Sequence, residues 1–349
     1  MSSRRGPYCV AATGQIGLFS KLPEKHQLTM GAEISPKPNL RVADAPTSNW
    51  VDRWAPASWL PYLRLGRLDR PIGTWLLLFP CWWSQTLAQV NSGDHLPNFW
   101  YLLLFAIGAI AMRASGCAYN DFVDRDIDGQ VERTVNRPLP SGQVSPDAAL
   151  AFVALTALAG LVVLLCFNSF TIWLTIASLV IVAAYPFAKR VTSYPQLVLG
   201  LAFNWGALSG WAAIKGSLGL PALALYAGCV FWTVGYDTIY AHQDKEDDAL
   251  LGLGSTALRF GDDTVSFVGA MYGLAGILWL TAGALAGAHL VYFLAVVLVF
   301  LQMSWQVATL DINNPLNCLW RFKSNRDVGL AVFAGLVADM ALSWFAGLS

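Results

Sequence analysis

Charge is scarce in these 349 residues: Asp, Glu, Lys and Arg together make up 13%, where a soluble chain carries about one-quarter. The little there is cancels, with 22 basic and 22 acidic residues. No basic run accumulates, which excludes a nucleic-acid partner on charge grounds. The six cysteines, at 9, 81, 117, 166, 229 and 318, are dispersed, and none has the C-x-x-C spacing of a zinc or redox site. They read as small apolar fillers. Residues 1–55 lack a continuous apolar run, which excludes a secretory signal peptide. They read as a flexible polar tail ahead of a single domain over 56–349. Arg4, Arg5, Lys21 and Lys25 leave a mitochondrial transit peptide open, whereas Glu24 and a weak amphipathic pattern count against it. A bacterial inner membrane is the expected location.

What fills the chain instead is apolar: 56% hydrophobic residues, 15 tryptophans and a mean hydropathy of +0.49. Apolar runs near the length needed to cross about 30 Å of hydrocarbon recur. They fall at 71–90, 99–119, 147–166, 170–188, 195–214, 221–239, 264–286, 289–308 and 328–347. The expected fold is therefore all-α, a polytopic membrane bundle of about nine helices. Glycines at 206/210, 269/273 and 283/287 have the spacing of close helix contacts. The segment before the first span and the even-numbered loops hold fourteen basic residues, against Lys215 alone on the other side. That asymmetry puts the N-terminus and the charged loops in the cytoplasm or its equivalent.

Two acidic clusters stand at span ends on that side. Residues 120–128 read N-D-F-V-D-R-D-I-D. On a continuing helix, Asn120, Asp121, Asp124 and Asp128 fall within an arc of about 100°, with Asp126 pointing away. Residues 237–248 place Asp237, Asp244 and Asp248 within about 40° on the same assumption, with Glu246 opposite. His242 then projects away from Asp244 and reads as a surface residue. Carboxylates crowded on one face repel each other unless a cation holds them. Oxygen-only ligands suit Mg²⁺, which takes one or two carboxylates plus waters and phosphate oxygens. Two such motifs on one side of one bundle suit a clamp on a diphosphate. Basic residues able to hold that diphosphate surround them: Arg64, Arg67 and Arg70, then Arg137, Lys189, Arg190 and Lys245. A transporter with coupling-ion carboxylates is the competing class, but its acids belong near mid-membrane on broken helices.

These motifs resemble the UbiA superfamily of intramembrane prenyltransferases. The first is similar to N-D-x-x-D-x-x-x-D, followed by N-R-P-L-P-S-G at 136–142. The second, Y-D-T-I-Y-A-H-Q-D-K-E-D-D at 236–248, has G-S-T-A behind it at 254–257. L-D-R-P-I-G-T-W at 68–75 and Y-P-F-A-K-R at 185–190 resemble the 4-hydroxybenzoate polyprenyltransferase branch. The resemblance implies a central cavity, an Mg²⁺-diphosphate site between the motifs and an apolar channel for an isoprenoid tail. It implies metal and diphosphate roles for Asn120, Asp124, Asp128, Asp244 and Asp248, with Asp121 added to the metal set. Arg190 becomes a candidate for the carboxylate of an aromatic acid, and Asn204 and Tyr240 join the expected substrate-binding residues. The implied reaction transfers a polyprenyl group from its diphosphate to the ring carbon ortho to the hydroxyl of 4-hydroxybenzoate, a membrane step of ubiquinone biosynthesis. Asp244 or Asp237 would accept the proton, and Tyr240, Trp205 and Phe203 would shield the cation. A sibling enzyme with another acceptor, such as a naphthoate, a chlorin or a haem, is the alternative.

Overall fold

In the computed structural model, residues 45–347 apart from residue 47 are described, and no strand occurs among them. Nine long helical segments follow one another among these residues: α1 Ile72–Val90, α2 Phe99–Asp128, α3 Pro146–Leu164, α4 Ser169–Val191, α5 Pro195–Lys215, α6 Leu220–Ala241, α7 Thr264–Ala286, α8 Leu290–Ala308 and α9 Pro315–Phe345. Eight of them, α2 to α9, are long and apolar enough to cross a membrane. The remaining one, α1, has 19 residues but carries Ser84, Gln85, Thr86 and Gln89, all buried. Their partners lie within the bundle. Ser84 donates to the Ala207 carbonyl, Gln85 to Asn98 O at 2.9 Å and Thr86 to Trp82 O at 2.7 Å. This helix is less apolar because it faces protein rather than lipid.

The core is aromatic. Trp83 of α1, Trp232 of α6 and Trp279 of α7 are fully buried, with ring centroids 5.2–5.7 Å apart. Two of these indoles also donate to α9, Trp83 to Gly329 O at 3.0 Å and Trp232 to Asn325 Oδ1 at 2.8 Å. Burial of the rings supplies the packing and the N–H groups fix the register, so four helices are tied at one point.

Of the three glycine pairs, only 206/210 forms a close helix contact as a pair, with Cys81 of α1 against both positions. Gly273 meets nothing, Gly283 seats Tyr292, and Gly287 ends α7 with φ +80°. The last span starts earlier than its hydropathy indicates. α9 begins at Pro315 rather than near 328, because its first turns are polar and continue the helix beyond the apolar layer. Short connections at one end, 165–168, 216–219 and 287–289, contrast with 129–145 and 242–263 at the other. Residues 1–44 of the expected tail lie outside the described residues; at its end, Trp50–Trp54 is a helix with Val51 fully buried.

Candidate active site

At about 1.5 Å per residue, the 30 residues of α2 span about 45 Å, more than the hydrocarbon needs. Its last turns therefore carry the first acidic motif to the end of the bundle. There Asn120, Asp124 and Asp128 face Asp237, Asp244 and Asp248 of the second motif across a cavity of about 220 Å³.

Cations occupy the first motif. Asp121, fully buried, accepts from Arg67 at 2.6 Å and Arg137 at 3.2 Å. Asp124 holds Lys189 at 2.7 Å and Arg190 at 3.0 Å, and Asn120 donates to it at 3.3 Å. Asp128 takes Arg137 at 2.7 Å. Arg67 sits in the left-handed backbone region at φ 61°, unusual for a residue other than glycine. An observed strain of this kind beside a charged cavity is a mark of function.

The second motif departs from the helix expected over 237–248. α6 stops at Ala241, and Asp244 begins a separate helix, Lys245–Leu250. The N–H groups of His242, Gln243 and Asp244 bond three residues back instead of four, which tightens and ends the last turn. The three aspartates still reach one cavity, but through a turn rather than a continuous face. The same turn buries His242, which is 4% exposed with Nε2 3.1 Å from Thr264 Oγ1, so it is not a surface residue. Burial and then the charge of Lys245 lower its pKa to about 4. Asp244 is gripped by both arms of Arg133, which also donates to Tyr240 Oη at 2.6 Å. Burial, then the charge of Asp244, raises the Asp248 pKa to about 6.

Two further cavities continue inward. A chamber of about 280 Å³ shares Asn120, Arg137, Asp237 and Tyr240 with the first and adds Arg67, Arg70, Arg113 and Phe203. Arg113 lies deep in α2, with its guanidinium 5.3 Å from the Phe203 ring centroid and a buried Nε that has no hydrogen-bond partner. The chamber meets a groove of about 490 Å³ at Leu77, Met112, Ala202 and Phe203, and Trp205 lies on the groove's wall. Leu158 of α3 and Leu179 of α4 line this groove and are exposed, so it opens sideways toward lipid.

Several expected site residues stand elsewhere. Arg64 pairs with Asp52 at 2.9 Å, and Lys245 donates to Asn313 at 2.9 Å; neither lines the three cavities. Asn204 is fully buried where α5 breaks, donating to Gly200 O and Thr233 Oγ1. Arg190 lies at the rim on Asp124 and Val123 O. Arg133 and Arg113 are the two cations that motif reading passed over. Arg133 had no signal beyond its loop, whereas Arg113 stands as a lone charge inside an apolar run, itself a sign of function.

The donor set fits Mg²⁺. Among the described residues no group of three His, Cys, Asp or Glu side chains closes on a common point. A hard ion here would therefore complete its shell from water and phosphate oxygens, as Mg²⁺ does. Asp121 Oδ2 is buried without a hydrogen-bond partner, a bare acceptor beside that set.

Residues 77–333 match the UbiA prenyltransferase family. The mitochondrial 4-hydroxybenzoate polyprenyltransferase of Bos taurus is 48% identical over 285 residues, covering 81% of this chain and 76% of that protein. The Homo sapiens protein of the same name is 47% identical over 307 residues, covering 86% and 81%. The Arabidopsis thaliana one is 44% identical over 292 residues, covering 83% and 71%. All three are named mitochondrial, so the bacterial location expected from the sequence finds no support in them. Of solved structures, the apo UbiA homolog from Aeropyrum pernix K1 is 27% identical, covers 76% of this chain and 98% of its own, and has a TM-score of 0.64. A UbiA homolog from Archaeoglobus fulgidus bound to GPP and Mg²⁺ shares the fold at a TM-score of 0.56 and 17% identity, over 80% of this chain and 99% of its own. With the family match running from α1 into α9 and relatives near half identical over four-fifths of its length, this chain belongs to the UbiA prenyltransferase family.

Proposed function

We propose that this membrane protein transfers a polyprenyl group from an allylic polyprenyl diphosphate to 4-hydroxybenzoate, at the ring carbon ortho to the hydroxyl, as a step of ubiquinone biosynthesis. The observation that carries this reading is the run of three joined cavities: a charged one, a mixed one and an apolar one open to lipid. They match in order a diphosphate, an aromatic acid and an isoprenoid tail. The relatives' names supply the acceptor, and the diphosphate-bound and Mg²⁺-bound Archaeoglobus fulgidus homolog supports the donor and the metal.

Asn120, Asp121, Asp124, Asp128, Asp244 and Asp248 would hold Mg²⁺. When bound, the ion supplies positive charge at the leaving diphosphate. Arg137, Lys189 and Arg133 line the charged cavity among those carboxylates and bind the phosphate oxygens, stabilising the charge that develops there, while Arg67 holds Asp121 from the inner chamber. Arg113 takes the acceptor's carboxylate in the inner chamber, where two parallel N–H bonds orient the ring. This reading moves that role from Arg190, which lines none of the cavities. The donor's C–O bond breaks with its electron pair leaving on the diphosphate. The ring carbon then bonds to the allylic carbon, and Asp237, which lines both polar cavities, accepts the ring proton. Tyr240 and Phe203 wall the chamber and shield the cation.

We place the protein in a mitochondrial membrane, with the acidic end facing the side where basic residues gather. The reading is tested with protein in membranes, supplied with geranyl diphosphate and Mg²⁺. Inorganic diphosphate should be released only when 4-hydroxybenzoate is added, with the prenylated acid seen by mass. Release that ignores the aromatic acid would exclude this function.

A further inference from the structure

Residues 251–256 cross from the second motif to the end of α4, and Leu253, Gly254 and Ser255 line the diphosphate cavity. Three bonds hold this strap. Gly254 N–H donates to the Lys189 carbonyl at 2.7 Å, Thr256 N–H to Gln196 Oε1 at 3.1 Å, and the Thr256 and Thr238 hydroxyls meet at 2.6 Å. At its other end Gly252, at φ +66°, turns the chain so that Leu253 N–H reaches the Asp248 carbonyl at 2.9 Å. The strap thus touches the backbone of Lys189, whose side chain sits on Asp124 of the first motif, and of Asp248 in the second.

On the present backbone, a side chain at position 254 requires the strap to shift. A Cβ there would overlap the Thr192 carbonyl oxygen, which is backbone and has no flexible end to give way. We infer that Gly254 is a positioning residue for the donor's diphosphate: by letting the strap lie against α4, it sets Lys189 against Asp124 and Asp248 across the cavity. The inference rests on the prenyl-transfer reading above. Adding one methyl group at 254 pushes the strap off α4 and changes the spacing between the two motifs, while Arg113 and Phe203, in the part of the inner chamber not shared with the diphosphate cavity, stay in place.

The test uses the full chain in membranes with Gly254→Ala and Thr256→Val. The second removes one strap bond without a clash, and Thr238 keeps its bond to Val234 O. The expected result for Gly254→Ala is a tenfold or greater rise in KM for geranyl diphosphate, with KM for 4-hydroxybenzoate within twofold. A matching loss of geranyl diphosphate-induced thermal stabilisation is expected when no aromatic acid is present. Thr256→Val should shift the same two donor readouts by about threefold, and it decides the matter if Gly254→Ala does not accumulate. Combining Gly254→Ala with Lys189→Met should be clearly less than additive, since both act through one side chain. Unchanged donor affinity, equal weakening of both substrates, or additive effects would each overturn the inference. Wild-type protein that neither binds nor turns over geranyl diphosphate would instead overturn the functional reading itself.

Discussion

The two acidic motifs look alike as strings of letters and are built differently. The first lies on one unbroken helix, and each of its aspartates that faces the site has at least one cation within 3.2 Å. The second straddles a break: Asp237 is on α6, Asp244 at the start of another helix, and Asp248 one turn into it, with no ion pair among the described residues. A continuous helix fixes its carboxylates by backbone geometry, at the cost of crowding that cations must offset. A broken one leaves its carboxylates to be set by neighbours, here Arg133 from the 129–145 loop. The first motif is therefore a rigid wall and the second an adjustable one.

Breaking the rigid wall should have the largest effect. Asp124 is 1% exposed and carries two cations, so Asp124→Asn leaves Lys189 and Arg190 without their counter-charge. Turnover should fall by two to three orders of magnitude, on the order of 3–4 kcal/mol. Asp126→Asn and Glu246→Gln, at exposed positions, should stay within about twofold. Diphosphate release measured on all three decides it; equal damage from the exposed pair would remove the distinction between site-facing and outward carboxylates.

The next effect concerns the link between the motifs. Arg133 holds Asp244 through two nitrogens and Tyr240 through a third. Lysine keeps the charge but not the fork, so Arg133→Lys should lower kcat/KM about thirtyfold, roughly 2 kcal/mol. A change under threefold would mean that the second wall needs no outside support. This residue also marks where the sequence stops being legible. The spans and the first motif could be read from hydropathy and from helical angles, because both are local periodicities. Arg133 becomes a site residue only through a contact across 111 positions, and no local pattern encodes that. The break at 242–244 escaped for a related reason: an angular argument assumes the helix it is applied to. Asp237, Asp244 and Asp248 met all the same, since the turn brings them to one cavity.

The adjustable wall should also respond to pH. Burial and Asp244 raise the Asp248 pKa from 3.8 to about 6, so below that pH it is neutral and above it ionised. A cation favours the ionised form and must displace the proton to bind. Apparent Mg²⁺ affinity should therefore rise about tenfold per unit as pH increases toward 6 and level off above it. Asp248→Asn should flatten that limb. Mg²⁺ titrations of donor-induced thermal stabilisation between pH 5 and 8 measure this, and a limb that survives in Asp248→Asn assigns it to another group.

The smallest effect is expected where the rigid wall meets solvent. Asp124 is shared by a more enclosed cation, Lys189, and a more exposed one, Arg190, whose side chain is 38% exposed and which also bonds Val123 O at 3.0 Å. An exposed partner contributes little once screened, about 0–1 kcal/mol, and Lys189 remains on the same carboxylate when it is removed. Arg190→Ala should therefore change KM for 4-hydroxybenzoate and for geranyl diphosphate by no more than about threefold. Arg113→Ala, in the inner chamber, should raise the acceptor's KM by at least tenfold under the same conditions, because a desolvated carboxylate loses the cation that orients it. Steady-state kinetics on the two variants, varying each substrate separately, make the measurement. If Arg190→Ala raised the acceptor's KM tenfold while Arg113→Ala left it unchanged, the acceptor's carboxylate would belong at the rim, and the assignment of the three cavities to diphosphate, acid and tail would have to be redrawn.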